Sequence, residues 1–316
     1  MKNKVIAMLK NSVISAYFSK EIIPEKLIVL DTIDEAIDQM QFNGTHPVNE
    51  TGNDETIYHI KSINAFVFSY HLYLFPLFRF MQHSGILPRK NNALINWDAH
   101  SDFYVSPIFN DIQKFSSWGK PQNVDWSINA FEFSKNTFDH TKKRVSIASF
   151  IYPLLWDKSI THYTWRDFLS QDISNRILSK LLNKKSGTEC LQFLYSKLGD
   201  HFYTNLDKES TYVTPDPKIE INIEHFNASH ATQNEFNLNI DAQAEQPSAM
   251  THSIDIDVFF NGSPHKPFSN KRFNGFLQDL NFIAQNPKLL PSAIFIATSP
   301  NFSNPTQTKE ATLKTL

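Results

Sequence analysis

Apolar residues in this chain gather in short continuous runs instead of alternating with polar ones. Residues 26–30 (KLIVL), 65–68 (AFVF), 93–97 (ALINW) and 293–297 (AIFIA) read as strands buried on both faces, and 160–165 (ITHYTW) resembles them. Between these runs the period changes. Residues 33–40, 72–82 and 270–285 space their apolar positions like one face of a helix, with Pro76 expected near a first turn or at a kink. Residues 253–259 (SIDIDVF) read as a further strand, and the closing TQTKEATLKTL as a last helix. Residues 43–56 (NGTHPVNETGNDET) form a polar loop dense in turn formers. Buried strands alternating with helices predict an α/β chain, a three-layer α/β/α arrangement around a mainly parallel sheet. Such sheets bind ligands beyond the carboxyl ends of their strands, and the polar clusters of this sequence fall there.

No internal repeat or low-complexity linker divides the chain, so residues 1–316 are expected to form a single domain. The texture changes only over residues 199–250, where β-like pieces such as 219–223 sit in a polar background and predict an insertion or flexible excursion.

Composition removes several function classes. The 30 basic and 32 acidic residues balance, which argues against a nucleic-acid partner. A single cysteine, Cys190, excludes an intrachain disulfide framework and cysteine-rich zinc modules, and it has no recognisable base beside it. Only 8 glycines occur and neither GxGxxG nor GxxxxGK[ST] is present, which disfavours dinucleotide and P-loop chemistry. The greasiest stretch, 66–80, is interrupted by Ser69, His71, Pro76 and Arg79, so no membrane partner is expected. Lys10 and Asn11 break the amino-terminal apolar stretch before it becomes a signal sequence; a cytoplasmic location is the expectation.

Two acidic clusters carry the candidate chemistry. Asp98, His100 and Asp102 follow the run ALINW, and Asp255 and Asp257 lie within SIDIDVFF. In an extended segment residues two apart point the same way, which would aim Asp255 and Asp257 at one site. Gathering these carboxylates in a buried place is prohibitive unless cations neutralise them. Two divalent ions would do so, and oxygen-rich ligation with one or two imidazoles suits Mn²⁺ better than structural zinc. Histidines 140, 162, 201, 225, 230, 252 and 265 read as surface or structural groups, and Trp97, Trp118 and Trp126 as core residues.

The segments ALINWDAHSDF and SIDIDVFF resemble the two metal-binding motifs of the arginase/ureohydrolase superfamily, DAHxD and SxDxDxxD. The spacing from His71 through Ile86-Leu87-Pro88 to Asp98 is similar to a branch of arginase-like domains that includes the peptide arginases of ribosomal-peptide biosynthesis. The stretches 145–156 and 296–305 look similar to the same branch. The resemblance implies an arginase-like fold and two Mn²⁺ per chain, held by His71, Asp98, His100, Asp102, Asp255 and Asp257. His71 would serve one ion and His100 the other, with Asp98 and Asp255 lying between them; Asp102 is also the candidate proton relay. It implies hydrolysis of a guanidinium, that of an arginine side chain within a peptide, to ornithine and urea. The sequence assigns no residue to orient the substrate and no oligomeric state. Three positions depart from the pattern. Ser69-Tyr70 stand where an acid commonly precedes the first histidine, Phe259 lies two beyond Asp257 with no acid following, and SPNFSNP lacks the late glutamate of free-arginine enzymes. No histidine follows Asp102 before His140, so the proton-shuttle histidine of those enzymes has no counterpart either. The alternatives are a small-molecule ureohydrolase or amidohydrolase of the same fold, and a non-catalytic peptide-binding protein that keeps metals for structure.

Overall fold

The computed structural model of the chain describes residues 26–49, 52, 56–100, 150, 151, 154, 159–166, 168, 227–231 and 246–316. Its strands are β1 (Lys26–Leu30), β2 (Gln41–Asn43), β3 (His46–Val48), β4 (Thr56–Ile60), β5 (Ala65–Phe68), β6 (Asn92–Trp97), β7 (Ile160–Arg166), β8 (Asn227–Ala231), β9 (Ala249–Asp255) and β10 (Ala293–Ala297). Eight of them form one sheet in the order β1-β4-β5-β10-β9-β6-β7-β8, and β2 and β3 pair separately. The six strands from β5 to β8 run parallel, whereas β4 meets β5 antiparallel and carries β1 with it.

Helices cover both faces, as the three-layer expectation requires. Among the described residues the α-helices are α1 (Ile33–Gln39), α2 (Leu74–His83), α3 (Asn270–Ala284) and α4 (Thr308–Thr315). Alternation along each strand decides what each layer touches. On β5, Ala65 and Val67 join the core formed with α1, α3 and α4, where Ala36, Phe276, Ile283 and Ala311 are buried. Phe66 faces the other way and meets Phe80 of α2, while Phe295 of β10 meets Phe78. Local signals place the helix starts: the Thr32 hydroxyl accepts from Glu35 N–H, and the Ser269 hydroxyl accepts from Arg272 N–H. Pro76 sits in the first turn of α2, where no helical donor is missed.

Two local expectations are corrected. The polar stretch 43–56 is not all loop: a hairpin turning at Gly44 (φ 59°) pairs Gln41–Asn43 with His46–Val48. The strand expected over 253–259 ends at Asp255, because the Asp255 side chain accepts from the N–H of Asp257 and caps a 3₁₀ turn over Ile256–Phe260. Of the excursion expected over 199–250, residues 227–231 and 246–250 lie within the described set; the former are β8, paired in parallel to β7. No helix among the described residues is long and apolar enough to cross a membrane.

One buried titratable group ties folding stability to pH. His252 of β9 lies against Trp97, ring centroids 5.1 Å apart, and its Nε2–H donates to the Leu289 carbonyl at 3.0 Å. Burial lowers its pKa from 6.5 to about 3, the Leu289 bond opposing only in part. The unfolded chain therefore takes up a proton that the folded chain refuses. This stability is whole above pH 6.5 and is lost as pH falls toward 3. His252→Gln keeps a donor for Leu289 and removes the titration. Between pH 7.5 and 4.5 the wild type should lose about 3 kcal/mol more than this variant. Urea unfolding at the two pH values reads the difference, and equal losses would assign the acid sensitivity to other groups.

Candidate metal centre

Every described residue of the site sits at the carboxyl end of a central strand. His71 lies three residues beyond β5, Asp98 immediately follows β6, and Asp255 ends β9. The turns after those strands add the rest. His100 N–H donates to Asp98 Oδ1 at 2.7 Å, so the chain folds back and brings the imidazole over the carboxylate it just passed. Asp257 arrives in the same way from the 3₁₀ turn, and its Oδ1 accepts from Ala99 N–H at 3.3 Å. Asp255 and Asp257 thus reach the site through a turn, not as two same-face positions of one extended strand.

The side chains form two groups whose ligand atoms lie within 4.8 Å of one another: His71, Asp98 and Asp255, and Asp98, His100 and Asp257. Asp98 belongs to both. Its Oδ2 is 3.1 Å from His71 Nδ1, and its Oδ1 is 3.7 Å from His100 Nδ1. Asp255 Oδ2 approaches His71 Nδ1 at 3.2 Å, and Asp257 Oδ2 approaches His100 Nδ1 at 2.8 Å. Both histidines therefore turn Nδ1 inward. For His71 the reason is visible: Nε2 shares a 2.6 Å hydrogen bond with Ser253 Oγ, which fixes the ring. Phe150 and Phe302 pack against the His71 and His100 rings, with centroids at 4.7 and 5.2 Å.

Asp98 is held through both its backbone and its carboxylate. Its N–H donates to the Arg166 carbonyl at 3.1 Å, its carbonyl accepts from Trp165 Nε1–H at 3.0 Å, and Asn96 Nδ2 donates to Oδ2 at 3.3 Å. Strand β7 is itself anchored below, where the Arg166 guanidinium grips Asp279 of α3 at 2.6 and 2.8 Å and Trp97 Nε1–H joins the same carboxylate.

The electrostatics fit a cation pair. Burial and the Asp257 charge push the Asp255 carboxyl up, with His71 and Ser299 opposing. Burial also raises Asp257, with His100 opposing and Asp98 adding to the rise. Burial alone would lower His100, but the carboxylates of Asp257, Asp98 and Asp255 outweigh it and raise the imidazole to about 9. Crowding makes these carboxylates strong attractors of a positive partner, and a set of carboxylate oxygens plus one imidazole nitrogen per group matches hard or borderline divalent ions. The residues present suit two metal ions, one in each group.

No family model matches this chain. No curated protein matches it either. Among solved structures, the formimidoylglutamase of Bacillus subtilis subsp. subtilis str. 168 aligns at a TM-score of 0.34 and 13% identity, over 82% of this chain. The alignment spans 58% of the length of that protein. A likeness so distant decides nothing about chemistry; the side chains must carry that argument.

The structure brings together His71, Asp98, His100, Asp255 and Asp257, while Asp102 lies outside the described residues. Asp98 joins both groups, whereas Asp255 joins only the first. Trp97 and His252 are buried structural groups, His162 is buried and His265 exposed. Cys190, Trp118, Trp126 and the histidines at 140, 201 and 225 lie outside the described residues. Sequence reasoning missed the supporting residues. Ser253 was legible in principle, because it precedes Asp255 by two on one strand and so shares its face. Asn96 stands in the same relation to Asp98. Gly262 carried a weaker signal, as one of only 8 glycines lying five residues past Asp257.

Proposed function

We propose that this protein is a binuclear manganese hydrolase that converts peptidyl arginine to ornithine with release of urea. The observation that supports it most is the shared carboxylate. Asp98 offers one oxygen to each of two buried groups, each completed by one histidine and one further aspartate. His71, Asp98 and Asp255 would hold one ion, and Asp98, His100 and Asp257 the other. When bound, two such ions supply a hydroxide nucleophile at neutral pH and polarise the guanidinium. The chain's own groups do the rest. Ser253 keeps His71 Nδ1 facing inward, and the phenyl rings of Phe150 and Phe302 shield the outer sides of the two imidazoles. Asp102 is the proposed carrier of the proton that the departing amine requires.

The choice of a peptide rests on what the loop after β10, a described part of the site's rim, lacks. Free arginine must be recognised by partners for its α-ammonium and α-carboxylate, and buried polar partners of that kind discriminate strongly. The loop after β10, residues 298–305 (TSPNFSNP), contains no acidic side chain. Purified protein should carry, or be activated by, about two Mn²⁺ per chain. Urea release from arginine-containing peptides should exceed that from free L-arginine by at least about tenfold in kcat/KM, or ~1.4 kcal/mol of transition-state stabilisation. Each converted arginine should lose about 42 Da in mass, the CN₂H₂ that separates arginine from ornithine after guanidinium hydrolysis. One tightly held zinc with no response to Mn²⁺ would overturn the binuclear assignment. Faster turnover of free arginine or agmatine, with peptides untouched, would make this a small-molecule ureohydrolase.

A further inference from the structure

The loop after β10 takes an unusual path beside the metal centre. Ser299 has φ 45° and Asn301 φ 76°, two left-handed residues within a span of three. For a residue with a Cβ this region is sterically costly, and glycine is the usual occupant. The Ser299 backbone is nonetheless held on both sides. Its N–H donates to the Ser69 carbonyl at 2.8 Å, continuing the β10–β5 ladder one step past the Thr298 N–H to Phe68 carbonyl bond of 2.9 Å. Its own carbonyl accepts from the N–H groups of Phe302 and Ser303, both at 3.1 Å. The left-handed turn swings the side chain back over β9, where the hydroxyl donates to Asp255 Oδ2.

That oxygen is the one that faces His71 Nδ1 at 3.2 Å, and Asp255 Oδ1 is already occupied by the N–H of Asp257 at 3.0 Å. Both carboxylate oxygens are thus fixed by donors from two different loops. We propose that Ser299 is a positioning residue, whose hydroxyl aims Asp255 at the ion shared with His71 and whose strained backbone is maintained for that purpose. The proposal rests on the metal-centre reading above. Serine is short enough to reach Asp255 from this backbone position, whereas glycine would suit the backbone better and bring no donor. Orienting groups behind ligand carboxylates typically govern metal affinity by one to two orders of magnitude. Because Asp255 belongs to one group only, the effect is confined to one of the two ions.

The test is calorimetric titration of the metal-free protein with Mn²⁺, for wild type, Ser299→Ala and Ser299→Gly, together with thermal melting before metal is added. Wild type should bind two ions. Ser299→Gly should melt no lower than Ser299→Ala, since glycine adopts φ 45° freely. Yet both variants should bind one ion about 10- to 100-fold more weakly while the other is held within about threefold of wild type. A Ser299→Gly protein that binds both ions like wild type would overturn the proposal and leave the serine a backbone role. Equal weakening at both sites would overturn it too. A wild type that binds no Mn²⁺ would instead overturn the metal centre itself.

Discussion

Replacing Asp98 by alanine should abolish tight binding of both metal ions and lower urea release by at least about a thousandfold, ~4 kcal/mol of lost transition-state stabilisation. Asp98 is the only described residue common to the two groups, with one oxygen turned to each. Removing it leaves Asp255 and Asp257 facing the centre without the charge that links them. Asp255→Ala should be milder, losing the ion shared with His71 and weakening the other only through their coupling. Asp98→Asn is the sharper control, because it keeps the shape of the side chain and removes the charge. Metal content by mass spectrometry, activity at saturating Mn²⁺ and circular dichroism should be read on the same preparations. If Asp98→Ala and Asp255→Ala each retained one ion with similar residual activity, the shared role of Asp98 would be wrong.

A smaller effect, confined to one ion, is expected at a residue that offers no ligand. Gly262 lies directly beneath His100. A Cβ at this position would stand 2.7 Å from Nε2 and 2.9 Å from Cε1 of the imidazole, and Gly262 has φ 63°. The ring has little room to retreat, with Phe302 against it at 5.2 Å and Asp257 Oδ2 at 2.8 Å from Nδ1. The turn beneath is fixed as well. Gly262 N–H donates to the Asp257 carbonyl at 3.0 Å, and Arg272 of α3 binds the Val258 carbonyl at 3.0 Å and the Asn261 side chain. Gly262→Ala should cost about 1–2 kcal/mol in folding from the left-handed backbone alone. It should also weaken the His100 ion about 10- to 100-fold, the scale of lost ligand support. The His71 ion should be spared. Calorimetric titration separates the two, and unchanged binding of both ions would show that the His100 ring yields without consequence.

The sequence disclosed the sheet's interior more readily than its margins. Strands such as β6 are buried along their whole length, so they appear as unbroken apolar runs that any window detects. Strand β4, TIYHI, escaped notice because it follows a polar stretch and mixes in Tyr58 and His59. Both are accommodated by distant partners: the Tyr58 hydroxyl donates to the Val48 carbonyl, and the His59 ring stacks on Phe66 at 4.2 Å. The convergence of His71, Asp98, His100, Asp255 and Asp257 was legible because each lies next to a readable strand end. How those residues turn was not legible. The 3₁₀ turn after Asp255 depends on a side-chain cap, and the supports from Ser299 and Gly262 act on groups 44 and 162 positions away in the chain. No local pattern encodes contacts of that range.

The order of the strands has a consequence for how the protein comes into being. Strand β10, the last of the described strands in chain order, lies between β5 and β9 and pairs with both. Without it the sheet would be two separate pieces, β1-β4-β5 and β9-β6-β7-β8, with no shared neighbour. His71 belongs to the first piece, and Asp98, His100, Asp255 and Asp257 to the second. On the ribosome, a nascent chain lacking residues 293–297 could gather Asp98, His100, Asp255 and Asp257 but could not bring His71 to them. Closure of the candidate metal centre is therefore tied to the placement of one five-residue strand. That same strand leads directly into the loop whose Ser299 hydroxyl bonds Asp255, so the cluster of acids and histidines and the continuity of the sheet are completed by the same five residues.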